Sequence, residues 1–232
     1  MLNVVCVKHG TKYGPEYVNK LYNMVQRHLT IDHRFICFTE DSKKINPNIE
    51  IRLLPDRPEI TGWWWKTYMF QMGNFNAADT NLFFDLDMVI ISNIDKFITY
   101  EPESFVGLED LGRVFGKSQK LGSAVLRWKG NKHSKIWDSI DLKPNLTKRY
   151  NGGDQDWIWE CCKRDIKFFP KTWVMSYKWE IRTQEELIRK RDKWVFKETR
   201  NPNVDKETSV LAFHGTPDLE DVEDKIIIEN WR

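Results

Sequence analysis

The stretch Asn81-Leu82-Phe83-Phe84-Asp85-Leu86-Asp87-Met88-Val89-Ile90-Ile91 is an apolar run interrupted by two carboxylates. An apolar run ended by an acid is how a strand delivers a charged group to the carboxyl edge of a mostly parallel sheet. Residues two apart on an extended strand point the same way, so Asp85 and Asp87 can meet one divalent cation. Two anions side by side are costly without such a partner. Solvated acids also end many strands, so the DxD spacing by itself does not decide the matter. The setting adds weight: residues 88–91 are apolar again, and Ser92-Asn93-Ile94-Asp95-Lys96-Phe97 returns to a turn.

Upstream, residues 2–8 form a valine-rich run that ends in His9-Gly10-Thr11-Lys12-Tyr13-Gly14. This polar turn precedes a helix beginning at Pro15, a residue suited to the first helical position. Val18, Leu21, Tyr22, Val25 and Leu29 give that helix one apolar face. Residues 34–39 and 49–53 read as strands, and Thr61-Gly62 starts a helix over 63–72. Downstream, 105–108 and 123–128 read as strands, 132–140 and 155–162 as helices, and 209–213 as a late strand. A βαββα start followed by a mixed second half predicts an α/β domain with an open sheet. Residues 183–197 (TQEELIRKRDKWVFK) read as an exposed amphipathic helix with a solvated basic cluster at 189–193. There is no internal repeat and no low-complexity linker.

Composition narrows the class. A chain of 232 residues, 41% hydrophobic and 30% charged, can bury the core of a single domain. A net charge of +2 argues against a dedicated nucleic-acid binder. No window supplies a membrane span, and MLNVVCVKHG lacks the apolar stretch of a signal peptide, so a cytoplasmic chain is expected. Cys6, Cys37, Cys161 and Cys162 form no CxxC pair and too irregular a pattern for a disulfide framework. The 11 tryptophans stand out. Aromatic faces serve carbohydrate or nucleotide rings, and they also fill cores.

The segment from Trp65-Lys66-Thr67 to Phe83-Phe84-Asp85-Leu86-Asp87 and on to Ser92-Asn93-Ile94-Asp95 resembles the metal-binding stretch of the glycogenin-like, family 8 glycosyltransferases. There, a lysine-bearing helix precedes a strand ending in DxD. Four further blocks match in order. Val4 to Tyr13 looks like the nucleotide-binding first strand and loop, and Leu121-Gly122-Ser123-Ala124-Val125-Leu126 like the "NSGVxxF" segment. Gly152-Gly153-Asp154-Gln155-Asp156 looks like the "GGDQ" turn. Ala212-Phe213-His214-Gly215 is similar to the closing "HFxG" block, with the histidine shifted relative to the phenylalanine.

The resemblance implies a GT-A-like open mixed sheet in one domain. Its Rossmann-like half, 1–97, would bind nucleotide and metal, and 98–232 would receive the acceptor and return the last metal ligand. It implies transfer from a nucleotide-diphosphate sugar, a uridine diphosphate sugar above all, with retention of configuration, to a glycan, lipid-linked or protein acceptor. Asp85, Asp87 and His214 would hold the metal, and a mixed carboxylate and imidazole set fits Mn2+ better than Mg2+. A histidine at a strand end is otherwise a structural residue. Lys66 would reach the diphosphate or the sugar. Tyr13 would stack on the base, with Lys8, His9, Thr11 and Leu86 lining the nucleotide. Gly122 and Ser123 would bring backbone close to the donor sugar. Asp154 and Gln155 would face that sugar, although Asp154 also stands where a helix N-cap belongs. Of Trp63-Trp64-Trp65, helical geometry lets at most one or two form a sugar platform.

Two departures matter. Where the closing block of the family carries a lysine for the diphosphate, this chain has Thr216-Pro217-Asp218, and the first loop has His9-Gly10 in place of small or acidic residues. Two other readings stay open. Asp85-Leu86-Asp87-Met88-Val89 satisfies the DxDx[TV] pattern of haloacid-dehalogenase-like phosphatases, with Asp85 as nucleophile, although that motif opens its own fold near the chain start. A sugar-binding module without catalysis would keep the tryptophans and need no metal.

Overall fold

The structure, a computed structural model, describes residues 1–116, 120–140, 146–150, 152–182, 187–190, 193–196 and 202–232. Seven strands build one mixed sheet: β1 (Leu2–Lys8), β2 (His33–Thr39), β3 (Glu50–Leu53), β4 (Thr80–Phe84), β6 (Phe105–Glu109), β7 (Leu121–Lys129) and β8 (Ile166–Phe168). Their order is β3-β2-β1-β4-β7-β6-β8. The pairs β3–β2, β2–β1, β1–β4 and β6–β8 are parallel, while β4–β7 and β7–β6 are antiparallel. A second sheet of β5 (Met88–Ile90), β12 (Val210–Ala212) and β9 (Val174–Ser176) runs in the order β5-β12-β9. The remaining strands, β10 (Leu187–Lys190) and β11 (Lys193–Phe196), form a hairpin. The helices are α1 (Pro15–His28), α2 (Lys96–Thr99), α3 (Lys135–Asp138), α4 (Leu146–Arg149), α5 (Asp154–Cys162) and α6 (Lys225–Asn230). Among the described residues, no helix is long and apolar enough to cross a membrane.

The large sheet is buried on both faces, and the two-residue strand period divides its side chains between two cores. Val4, Cys6, Phe35, Cys37, Leu82 and Phe84 face one core, shared with α1 and the second sheet. Val5, Ile36, Phe38 and Phe83 face the other, shared with Trp64, Trp65, Trp157 and Ile158. Near-continuous apolar strands follow from this double coverage. Trp157 is 1% exposed and still satisfies its ring nitrogen, donating to Ile136 O at 2.8 Å.

Three expectations change. The helix expected over 63–72 is a 3₁₀ helix, Gly62–Phe70. Its three-residue repeat puts Trp64, Thr67 and Phe70, all buried, on one row, which suits a bulky segment pressed under a sheet. The helix expected over 132–140 shrinks to α3, because a turn through His133 and Ser134 precedes it. The amphipathic helix expected over 183–197 is contradicted where the chain is described: Leu187 pairs with Phe196 and Ile188 with Val195 across the β10–β11 hairpin. Antiparallel backbone pairing replaces the helix there; residues 183–186, 191–192 and 197 lie outside the described residues.

Long-range ion pairs tie the chain's second half together. Arg113 Nη2 donates to both carboxylate oxygens of Glu180, at 2.9 and 3.0 Å, and Glu180 accepts from Ser176 N at 2.7 Å. Arg182, 2% exposed, donates to Asp224 Oδ1 at 2.8 Å, and the Tyr177 hydroxyl donates to the same carboxylate. At the start of this half, Arg127 of β7 is fully buried and donates to the carbonyls of Tyr100, Glu101 and Pro102, the last at 2.6 Å. Burial pulls its guanidinium down to about 10.

Candidate active site

From β1 the chain adds β2 and β3 on one side and then returns to place β4 on the other. The order of the sheet therefore reverses between β1 and β4, and a crevice opens beyond the carboxyl ends of these two strands. The loop after β1 brings His9, Lys12 and Tyr13 to it, and the segment after β4 brings Asp85, Leu86 and Asp87. β4 ends at Phe84, and Leu86 and Asp87 form a turn instead of continuing the strand. The two carboxylates converge on the crevice by that turn, not by strand alternation. Both ends of the turn are fixed by backbone: Asp85 N donates to Ala124 O of β7 at 2.9 Å, and Phe213 N, just past β12, donates to Asp87 O at 3.0 Å.

Lys66 is the centre of charge. Its Nζ lies 2.8 Å from Asp85 Oδ2, 3.4 Å from Ser123 Oγ and 3.8 Å from Asp154 Oδ2, and Ser123 Oγ donates to Asp154 Oδ2 at 2.7 Å. Burial disfavours its charge, but Asp154 and Asp85 more than reverse this and hold the ammonium above the ordinary lysine range. Burial pushes the Asp85 carboxyl up to about 7; Lys66 opposes that shift and Asp87 adds to it. Asp87 is raised as well, by burial, although it accepts from the Tyr13 hydroxyl at 2.8 Å. Lys12 Nζ in turn lies 2.8 Å from the Tyr13 oxygen.

Two adjoining cavities share Trp63, Lys66, Asp85 and Asp87. The first, of about 360 Å³, is completed by Val7, His9, Lys12, Tyr13, Gly62 and Leu86. The second, of about 330 Å³, is completed by Leu108, Leu111, Gly122, Ser123, Ala124, Gly152, Asp154, Gln155, Phe213 and His214. Both volumes suit small-molecule pockets. Lys8 and Thr11 line neither cavity: Lys8 is buried and Thr11 faces outward. Asp154 opens α5 as its first residue, so the N-cap position falls to Gly153. Gln155 Nε2 donates to Asp110 Oδ2 at 3.2 Å. Lys12 and Asp110 were missed from sequence. Asp110 directly follows β6, so the strand-end rule that marks Asp85 also finds it; no pattern singles out Lys12.

His214 lines the second cavity, but its Nε2 lies 2.7 Å from Ser176 Oγ. Burial first, and Lys178 second, push its ring down to about 4, so it is neutral near pH 7. Among the described residues, no three His, Cys, Asp or Glu side chains stand close enough to hold a metal ion. The donor set fits a cation at two points, Asp85 and Asp87, two carboxylates that one turn brings to the crevice and that burial raises above the ordinary carboxylate range. The rest of its oxygens would have to come from a ligand and water. The closing block lacks the expected lysine, yet a cation does reach it: Lys178 Nζ donates to Thr216 O at 3.2 Å.

No protein-family model and no curated protein matches the chain. Solved structures do. The galactosyltransferase LgtC, solved with donor and acceptor sugar analogs, superposes with a TM-score of 0.59 at 11% identity, covering 94% of this chain and 88% of LgtC. The chain has the GT-A fold. The bifunctional glycosyltransferase WbbM matches with a TM-score of 0.63 at 12% identity over 99% of this chain, and the glycosyltransferase GlyE of Streptococcus pneumoniae TIGR4 with 0.57 at 12% over 75%. The chain spans about half the length of these two, 49% of WbbM and 47% of GlyE. In this GT-A sheet the crevice at the β1/β4 reversal and the second cavity beside it are one continuous candidate active site.

Proposed function

We propose that the chain is a metal-dependent glycosyltransferase of the glycogenin-like kind. It moves a sugar from a nucleotide-diphosphate donor, a uridine diphosphate sugar, to an acceptor hydroxyl. The observation that carries this reading is the pair of cavities sharing Lys66, Asp85 and Asp87. One cavity can hold a nucleotide and the other two sugars, with the charged groups at their junction, where a leaving diphosphate gains charge. The GT-A fold supports it.

On this reading residues 1–97 bind the nucleotide and residues 98–232 receive the acceptor. Tyr13, His9 and Leu86 hold the base and ribose, and Lys12 and Lys66 face the diphosphate. Asp85 and Asp87 hold Mn2+, or Mg2+, which neutralises the departing diphosphate. His214 joins as a third ligand only if its ring leaves Ser176. Asp154 and Gln155 face the donor sugar. LgtC, also solved as an active-site Gln→Glu variant, uses a glutamine in its own site. Retention is supported by the engagement of the second cavity's carboxylates. Asp154 accepts from Ser123 and lies against Lys66, Asp85 pairs with Lys66 and Asp87 accepts from Tyr13, so none stands free as a base for an acceptor hydroxyl.

The test is thermal denaturation with a panel of nucleotide sugars, with and without Mn2+. A ligand at a hundred times its dissociation constant stabilises by about 2.7 kcal/mol. Stabilisation by a uridine diphosphate sugar that needs the cation and disappears in Asp87→Asn is expected. If no nucleotide sugar stabilises the protein, or Asp87→Asn responds as wild type does, the reading fails. Hydrolysis of an aryl phosphate through an aspartyl-phosphate at Asp85 would favour the phosphatase reading instead.

A further inference from the structure

Three tryptophans open the 3₁₀ helix, and the fold treats them differently. Trp64 and Trp65 are 5% and 4% exposed, whereas Trp63 is 60% exposed. A 3₁₀ helix has three residues per turn, so residue i stands over residue i+3. Trp63 therefore shares a row with Lys66, and both line both cavities. The indole is also braced. A methyl carbon placed on Gly153 would meet Trp63 Nε1 at 2.2 Å and Cδ1 at 2.7 Å. The ring thus rests on the turn that leads directly into Asp154 and Gln155.

A lone exposed tryptophan is ordinary. A braced indole that forms the partition between two cavities is not explained by packing, because its apolar surface stays uncovered. The second cavity offers that surface together with a carboxylate and a carboxamide at α5 and apolar Leu108 and Leu111 across from them. A pyranose ring has the complementary form, with C–H groups on one face and hydroxyls around the rim.

We propose that Trp63 is the acceptor-specificity residue of this site: its indole takes the apolar face of an acceptor pyranose that lies beside the donor sugar at Asp154 and Gln155. The inference rests on the glycosyl-transfer reading and adds the class of acceptor. In the transfer, an acceptor hydroxyl oxygen bonds to the donor's anomeric carbon as the bond from that carbon to the diphosphate breaks. The hydroxyl proton leaves with the phosphate.

The test is saturation-transfer NMR of methyl glucoside, methyl galactoside and methyl N-acetylglucosaminide, both anomers of each. It is run with UDP and Mn2+ present, on wild type, Trp63→Phe and Trp63→Ala, with UDP affinity measured in parallel. The expected result is transfer to the ring C–H protons of at least one pyranoside in wild type. Trp63→Phe keeps at least half of it and Trp63→Ala loses it fivefold or more, a larger loss than any in its UDP affinity. Wild type that binds UDP but gives no transfer to any pyranoside overturns the proposal. So does a Trp63→Ala protein that keeps the transfer, or that loses UDP to the same extent. Wild type that binds no uridine nucleotide overturns the transferase reading itself, and the inference with it.

Discussion

The two cavities share a wall but are built by different means. The first comes from residues 7–13 and 62–87, and the parallel β1–β4 pairing sets it. The second comes from residues scattered from 63 to 214, and His214 on its wall is backed by Ser176 of β9 and by Trp179 in the turn of π-helix at Tyr177–Ile181. The pairs Arg113–Glu180 and Arg182–Asp224 tie that backing segment to the chain after β6 and to the residue before α6. A backbone ladder positions side chains without burying charge. An ion pair drawn from distant segments must overcome desolvation, so its loss strands a buried charge. The first half should therefore tolerate side-chain change away from the site, and the second should not.

The sharpest way to break this contrast is Arg182→Met, which leaves Asp224 and Tyr177 facing an apolar side chain. A loss of about 3–5 kcal/mol in urea unfolding is expected; a loss below about 1 kcal/mol would mean that apolar packing alone closes the second half. Gly153→Ala comes next. Gly153 has φ 75° and ψ −146°, and a new Cβ would strike Trp63. About 1–3 kcal/mol of destabilisation should follow, and an unchanged melting curve would show that the turn can relax away from the indole.

The smallest effect concerns His133, whose ring packs on Phe105 at the far end of β6 from the second cavity, at 4.7 Å. Burial, with Lys135 and Lys132 against it and Asp165 for it, pushes this ring down to about 4 from 6.5. Between those values the unfolded chain binds more protons than the folded one, so stability falls as pH drops through this window. His133→Gln should remove up to about 2 kcal/mol of the loss between pH 7 and pH 5, read as a smaller drop in Tm. An identical drop in both proteins would place the acid sensitivity at other groups, such as His28 or Asp79.

The same contrast governs what the sequence discloses. β1, α1, β2 and β3 follow from period and turn chemistry because each pairs with or packs on an element near it in the chain, and β4, whose partners β1 and β7 are distant, follows from an apolar run ended by a carboxylate. Asp85 and Asp87 stand out from that run, whereas Tyr13 and Lys66 are singled out only by the family resemblance. The second sheet is not, since β9 has only three residues and gains its meaning from β12, far along the chain. The stretch 187–196 misleads because its charges repeat as a helix would have them, while its described residues pair as two antiparallel strands. Trp63 is hidden for another reason. Sequence shows three equal tryptophans, and only the 3₁₀ row and the Gly153 turn distinguish the one that meets solvent.

Arg127 bears on how this protein can be re-engineered. Loop tips accept insertions and new termini when their backbone is free of buried partners. Residues 100–102 join the two halves and look like such a tip, but their carbonyls receive a guanidinium that never reaches solvent. Cutting or lengthening the chain there would strand that charge in the sheet. A split or circularly permuted form should open the chain elsewhere, at an exposed turn such as residues 42–44, leaving the joint at 100–102 whole.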